Sequence, residues 1–181
     1  RALFNWITPW VLIPTFIIAP LMELLFFAFV GKDAGVGDST FFLIGSSVLA
    51  AAIPALFAMG NTIADERRSQ TLGLLLVSPA RRLPLFLGRA IPVILNGFLV
   101  SLVSLVLGAL VLRVPLPPST WLPLLTVLTI TSFSCTGLGL TGAAIGLRVR
   151  ETATLSNVIL GLLIVFGGAY AAVSALPVWM Q

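Results

Sequence analysis

The feature that most restricts this sequence is a succession of long apolar stretches separated by short polar gaps. The hydrocarbon core of a bilayer is about 30 Å thick, so a helix needs about 20 apolar residues to cross it. Five stretches qualify, and we predict transmembrane helices at about residues 10–30, 41–64, 85–112, 121–147 and 152–172. These stretches lack the alternation of polar and apolar residues that marks a membrane β-strand. The sequence therefore predicts an all-α, polytopic helix bundle.

The composition points to the same class of protein. Hydrophobic residues make up 59% of the chain and charged residues only 9%, whereas a soluble domain carries about 25% charged residues. So few charges cannot form a polar surface, and lipid must cover most of the outside. The excess of basic residues does not indicate nucleic-acid binding, because these residues lie in the gaps between apolar stretches and not on one exposed face.

The chain also lacks the side chains that most catalytic sites require. It contains no histidine and one cysteine, Cys135, which lies inside an apolar stretch where a buried hydrophobe is expected. Ser-His catalysis, Cys-His catalysis and a His/Cys metal site are therefore excluded within this chain. We expect a transport protein without catalytic residues, metal or bound cofactor, and a polytopic membrane enzyme is the weakest alternative.

The distribution of positive charge predicts the orientation in the membrane. Lys32 and Arg113 belong to one set of connections. The other eight of the ten Lys and Arg residues belong to the opposite set: Arg1, Arg67, Arg68, Arg81, Arg82, Arg89, Arg148 and Arg150. Positively charged connections stay in the cytoplasm. We therefore expect the N-terminus and the connections near 65–84 and 148–151 to be cytoplasmic.

The connection after the second predicted span differs from the others. A charged cluster at 65–68 is followed by Leu72, Leu75 and Leu76, which share one helical face, and Pro79 ends the pattern. This predicts a short amphipathic helix at the membrane surface. Spacing alone leaves two interpretations open: a helix that rests on lipid, or a docking element for a soluble partner.

A series of short motifs runs through this connection into the third span. Its members are Glu66-Arg67, Thr71-Leu72, Leu75, Ser78-Pro79 and Gly88-Arg89. In this order and at this place in the topology, they resemble the signature of ABC-2 type transporter permeases. Gln70 stands where that family usually has Gly, and Gly73 where an acidic residue is usual. Asn5-Trp6, Pro20-Leu21 and the residues at 176–179 also fit, so the resemblance covers nearly the whole chain.

The resemblance implies a type V exporter-like membrane domain of six spans, of which residues 1–181 form a single transmembrane domain with five. We therefore expect a piece of a longer protein, cut at both ends. The implied partners are a second permease subunit and cytoplasmic ABC ATPase subunits, in the cytoplasmic membrane of a bacterium or an archaeon. ATP and Mg would belong to the ATPase, since this chain has no Gly-x-x-x-x-Gly-Lys-Ser/Thr phosphate loop.

The implied function is export of a substrate, drug-like or lipid-like, with the segment at about 65–84 contacting the ATPase. The residues that the resemblance assigns to this coupling are Glu66, Arg67, Arg68, Thr71, Leu72, Leu75, Ser78 and Pro79. A stand-alone channel or carrier without an ATPase partner is the alternative, although such a protein would not need a docking helix.

Glu23 is the only acidic residue inside a predicted span. An ionisable residue within the membrane is a candidate functional residue, and Glu23 would line a pathway or bind a cationic or hydroxyl-bearing substrate. The alternatives are a hydrogen-bonded carboxyl at a helix contact and a position shallow enough to reach water.

Small and hydroxyl-bearing residues are concentrated in the fourth span. Gly142 and Gly146 form a GxxxG pattern, which allows close helix approach within the bundle or at a subunit interface. We expect the hydroxyls of this span to bond to carbonyls of their own helix, namely those of Ser132, Ser134, Thr136 and Thr141.

Overall fold

A computed structural model describes residues 14–33, 35, 38–70, 82–149 and 152–168. A π-helical turn, Pro14–Ile18, leads into helix α1, Ala19–Asp33. The four helices that follow are α2 (Ser39–Arg68), α3 (Arg82–Leu112), α4 (Pro118–Val149) and α5 (Thr152–Phe166). All regular structure within the described residues is helical, which confirms the predicted all-α bundle.

Helix α2 lies at the centre of the bundle and packs against all four other helices. Within the apolar part of each helix, 56% of α2 is buried, compared with 39% of α3 and 33% of α4. The middle of α2 is rich in alanine, and Ala51, Ala52 and Ala55 are almost completely buried. Small side chains on several sides of a helix let neighbours approach from several directions. The alanine-rich sequence therefore suits α2 to the central position.

The backbone of α2 is approached directly by a glycine of α3 and a glycine of α4. A Cβ atom placed on Gly97 of α3 would lie 3.0 Å from the carbonyl oxygen of Ala51. A Cβ atom on Gly139 of α4 would lie 2.7 Å from the carbonyl oxygen of Ala55. Because Ala51 and Ala55 are four residues apart, the two contacts are one turn apart along α2. Both neighbours thus pack directly on the backbone of α2.

Apolar side chains fill the bundle on either side of these contacts. One cluster comprises Leu49, Ala52, Ala55, Met59, Ala90, Val93 and Cys135. Cys135 is buried there, as its apolar sequence context predicted. The other cluster comprises Leu24, Leu43, Leu105, Leu124 and Leu128, and it joins α1 to the long helices. Together the two clusters span α2 from Leu43 to Met59.

Two short connections lie at the same end of the bundle. Helix α1 ends at Asp33 and α2 begins at Ser39, where the carbonyl oxygen of Asp38 accepts hydrogen bonds from the amides of Phe41 and Phe42. Helix α3 ends through Arg113, whose φ of 52° is left-handed. The amide of Val114 then donates to the carbonyl of Ala109 over 3.1 Å, the pattern of a Schellman cap.

Many large apolar side chains lie on the outer surface of the bundle. Leu110 and Leu122 are each 76% exposed, and Phe133 is 68% exposed. A helix that is apolar on all sides belongs either to the core of a large protein or to a membrane. In this bundle the exposed apolar faces of α3 and α4 match the hydrocarbon core of a bilayer.

Three helices are long and apolar enough to cross a membrane, at Ser39–Asn61, Leu87–Leu112 and Pro118–Gly146. They agree with the second, third and fourth predicted spans to within a few residues. The first and fifth predicted spans overlap α1 and α5, each of 15 residues. Residues 10–13 and 169–172 of those two spans lie outside the described residues, so the count of five spans stays a prediction.

Prolines interrupt neither α2 nor α3. Pro54 lies inside α2 and Pro92 inside α3, and both helices continue past them, as expected for membrane helices.

The contact between Gly139 and Ala55 generates a prediction about stability. We expect Gly139→Ala to lower the free energy of unfolding by about 1–3 kcal/mol, because the new methyl group would press on the backbone of α2. Gly137→Ala is the matched control on the same helix, since nothing lies within 4 Å of a Cβ atom there. Thermal unfolding of both variants in detergent measures the difference. Equal midpoints would contradict the assigned contact.

Candidate coupling segment and membrane residues

The charged residues after the second span continue helix α2. The apolar part of this helix ends at Asn61, and the helix itself ends at Arg68. At 1.5 Å per residue, the last seven residues extend about 10 Å beyond the apolar part. The backbones of Glu66, Arg67 and Arg68 therefore belong to the same rigid element as the centre of the bundle.

The other predicted coupling residues lie in the sequence between the end of α2 and the start of α3. Ser69 and Gln70 form an exposed turn after α2, and α3 begins at Arg82. The remaining coupling residues lie outside the described residues: Thr71, Leu72, Leu75, Ser78 and Pro79. The amphipathic helix predicted around Leu72, Leu75 and Leu76 lies outside them too. The prediction of that helix therefore stays a prediction.

Arg89, the last residue of the motif series, lies in the early part of α3. It is half-buried and precedes Ala90, a member of the core cluster around Met59. Its neighbour Gly88 is exposed, and nothing lies within 4 Å of a Cβ atom built there. The Gly-Arg pair therefore combines an exposed glycine with a half-buried arginine.

Glu23 lies on the half-buried side of α1, beside the fully buried Leu24. A Cβ atom on Gly108 would lie 2.5 Å from a methyl group of Leu24 and 2.6 Å from one of Leu43. Leu43 is the fifth residue of α2, and Gly108 is four residues before the end of α3. Glu23 thus lies next to the point at which α1 packs on the beginning of α2 and the end of α3.

The glycines of the GxxxG pattern are both buried in α4. A Cβ atom on Gly142 would meet Ile159 and Leu155 of α5 at 3.7 and 3.8 Å, which is ordinary contact. Gly142 therefore packs inside the bundle against α5. The tighter approaches are at Gly97 and Gly139, which lie outside this motif.

Three of the four hydroxyl groups predicted to bond within α4 do so, and Ser134 is the one that is not among them. Ser132 donates to the carbonyl of Leu128 at 2.9 Å, and Thr136 donates to that of Ser132 at 2.7 Å. Thr141 donates to the carbonyl of Leu138 at 2.8 Å. These bonds satisfy the hydroxyls inside an apolar environment. No three His, Cys, Asp or Glu residues within the described ranges are grouped to hold a metal ion.

A family comparison decides the class of protein. The family model described as ABC-2 type transporter matches residues 1–181, the whole chain. The chain belongs to the ABC-2 type transporter family. It is thus a multi-pass membrane protein and the permease component of an ABC transporter, which does not itself catalyse a reaction. No curated protein and no solved structure shows a significant match to it.

Gln70 occupies the position at which the ABC-2 signature usually has glycine, and its backbone explains the usual residue. Its φ is 56°, in the left-handed region. Glycine adopts this region freely, whereas other residues bring Cβ close to the following carbonyl oxygen. The left-handed residue ends α2 and sets the direction in which the chain leaves it. Gln70 therefore holds a left-handed conformation that glycine would adopt at a lower cost in energy.

This geometry predicts opposite effects for two substitutions at one position. Gln70→Gly should stabilise the end of α2 by about 1 kcal/mol, because it removes the Cβ clash. Gln70→Val should destabilise it, since a branched side chain tolerates positive φ least. Amide hydrogen exchange over residues 65–68 measures both effects.

A second left-handed residue provides the comparison. Arg113→Gly at the opposite end of the bundle should stabilise α3 in the same way, because its φ is 52°. Faster exchange in Gln70→Gly than in the unmodified protein would show that the left-handed turn does not form.

Proposed function

We propose that this ABC-2 permease exports a substrate across the cytoplasmic membrane of a bacterium or an archaeon. Separate ABC ATPase subunits would bind ATP and Mg and supply the energy. A second permease subunit, identical or different, would complete the route. The observation that carries this proposal is the uninterrupted path of α2 from the centre of the bundle to the charged residues Glu66, Arg67 and Arg68.

The central position of α2 suggests how movement of the ATPase would reach the membrane. A load on the charged end would act on a helix that contacts every other helix of the bundle. The backbone contacts at Gly97 and Gly139 leave little freedom to slide without moving α3 and α4. Tilting α2 would therefore shift its neighbours together, and this is the kind of rigid-body change that opens and closes transport routes.

Outward transport is supported by the distribution of charge and by the length of the connections. By the positive-inside rule, the basic residues favour a cytoplasmic position for the end of α2 and the start of α3. At the opposite end, the connections between the described helices consist of residues 34–38 and 113–117. Connections this short offer no receiving domain for a substrate-binding protein, which disfavours uptake.

The alternative is a stand-alone channel or carrier. It would leave the charged extension of α2 without an ATPase to contact. Purification in mild detergent distinguishes the two, because a permease of this type should retain an ATPase that carries a phosphate-binding loop. Recovery of the permease without any such ATPase, after expression with its neighbouring genes, would count against the proposed function.

The coupling role of the charged extension can be tested by two substitutions. Glu66→Ala and Arg67→Ala should each lower transport per ATP hydrolysed by about tenfold, a typical strength for coupling between two sites. Insertion and assembly should be retained, since both positions lie beyond the apolar part of α2. Reconstituted vesicles allow ATP turnover and substrate efflux to be measured in the same sample.

Lys32→Ala is the control for this experiment, because it removes an exposed charge at the opposite end of the bundle. It should leave the ratio of transport to ATP turnover unchanged. Normal coupling in both Glu66→Ala and Arg67→Ala would contradict the assignment of these residues to ATPase contact.

A further inference from the structure

Three side chains on the outside of α1 combine one carboxylate with two phenyl rings. Glu23, Phe26 and Phe27 are spaced i, i+3 and i+4, so they are neighbours on one side of the helix. Phe26 is 62% exposed, while Glu23 and Phe27 are half-buried. The two rings meet edge to face, with their centroids 5.3 Å apart. The helical spacing thus places Glu23 beside two aromatic residues on one side of α1.

The depth of this group in the bundle follows from the packing of Leu24. Its side chain meets Gly108 and Leu43, each about 6 Å along its helix from the end at which α2 begins. Glu23 precedes Leu24 and lies at nearly the same depth. The group therefore lies in the part of α1 that packs on the beginning of α2 and the end of α3.

We propose that Glu23, Phe26 and Phe27 form a binding site for amphipathic organic cations. The carboxylate would attract the positive charge, and the faces of the two phenyl rings would attract it further. This attraction is stronger beside hydrocarbon than in water, because the surroundings screen the charge less. The same surroundings disfavour an anion of equal size.

The exposure of the site selects the kind of cation. Phe26 opens to the side of the bundle, next to the exposed residues Met22 and Phe29. A ligand that arrives from this side must enter through lipid, so it needs an apolar body as well as a charge. A strongly hydrated inorganic ion would have to lose its water to bind there, which phenyl rings cannot replace.

This inference rests on the proposed function, because the bound cation is a substrate only if the permease exports it. It gives the exporter a substrate class and places recognition near the outer end of the route. The binding itself needs no ATPase. It can therefore be tested on the permease alone, in lipid nanodiscs, so a failure of binding is distinguishable from a failure of ATP-driven export.

The probe is tetraphenylphosphonium, a cation with an apolar body, and empty nanodiscs provide the blank. The unmodified protein should bind it saturably, and Glu23→Gln should weaken the binding by about tenfold, because the substitution removes the charge and keeps the shape. Phe26→Leu and Phe27→Leu should each weaken it by about threefold, because leucine has no aromatic face. Size-exclusion chromatography shows whether each variant is folded.

Two control variants distinguish specific binding at this site from nonspecific attraction of the cation to the protein. Asp33→Asn removes an exposed carboxylate from the end of the same helix, and Phe133→Leu removes an exposed ring from α4. Neither should change the binding of tetraphenylphosphonium. Tetraphenylborate, an anion of the same shape, should show no binding that depends on Glu23.

Four results would overturn the inference. They are no saturable binding of the cation to the unmodified protein, unchanged binding in Glu23→Gln, an equal loss in Asp33→Asn, and an equal effect of Glu23→Gln on tetraphenylborate. If Glu23→Gln does not fold, Glu23→Asp can replace it, because it keeps the charge on a shorter side chain. The two phenylalanine variants then test whether the cation binds at this site. Unchanged binding in both phenylalanine variants would then reject the site.

Discussion

The bundle depends on contacts in which the backbone of α2 is touched by its neighbours without an intervening side chain. In lipid, burial of apolar side chains contributes little favourable free energy to helix association, because the acyl chains are as apolar as leucine. Close packing has to supply the attraction, and it is strongest where surfaces approach most closely. Gly97 and Gly139 provide such surfaces, since each brings a helix within reach of a carbonyl group of α2.

This packing has a consequence for movement. A helix that is held on several sides by backbone contacts cannot bend locally without disturbing its neighbours. Helix α2 therefore joins two distant parts of the permease: the charged residues beyond Asn61, and the region where α1 packs on α2 and α3. Glu23 lies in this second region. The arrangement makes one rigid element common to the proposed sites of coupling and recognition.

Some parts of this structure were accessible to prediction, and some were not, for identifiable reasons. The three long helices follow from the length of their apolar stretches, because a chain in lipid must satisfy its backbone hydrogen bonds internally. The extension of α2 to Arg68 was not predicted, since hydropathy ends where the charges begin. Yet Glu and Arg favour helices, and this preference could have signalled that α2 continues. The left-handed turn at Gln70 was also missed, because only a glycine there would have marked it.

The sequence by itself determined that this chain is a membrane helix bundle, and its motifs indicated the ABC-2 family, which the family comparison confirmed. Both conclusions depend on properties that are local along the chain: apolar length, charge placement and short motifs. Only the tertiary structure decided that α2 is central, that Gly139 makes a closer contact than Gly142, and that Glu23 lies near one end of the bundle. These facts depend on how each helix is rotated and which neighbour it meets, and residues distant in sequence set that jointly.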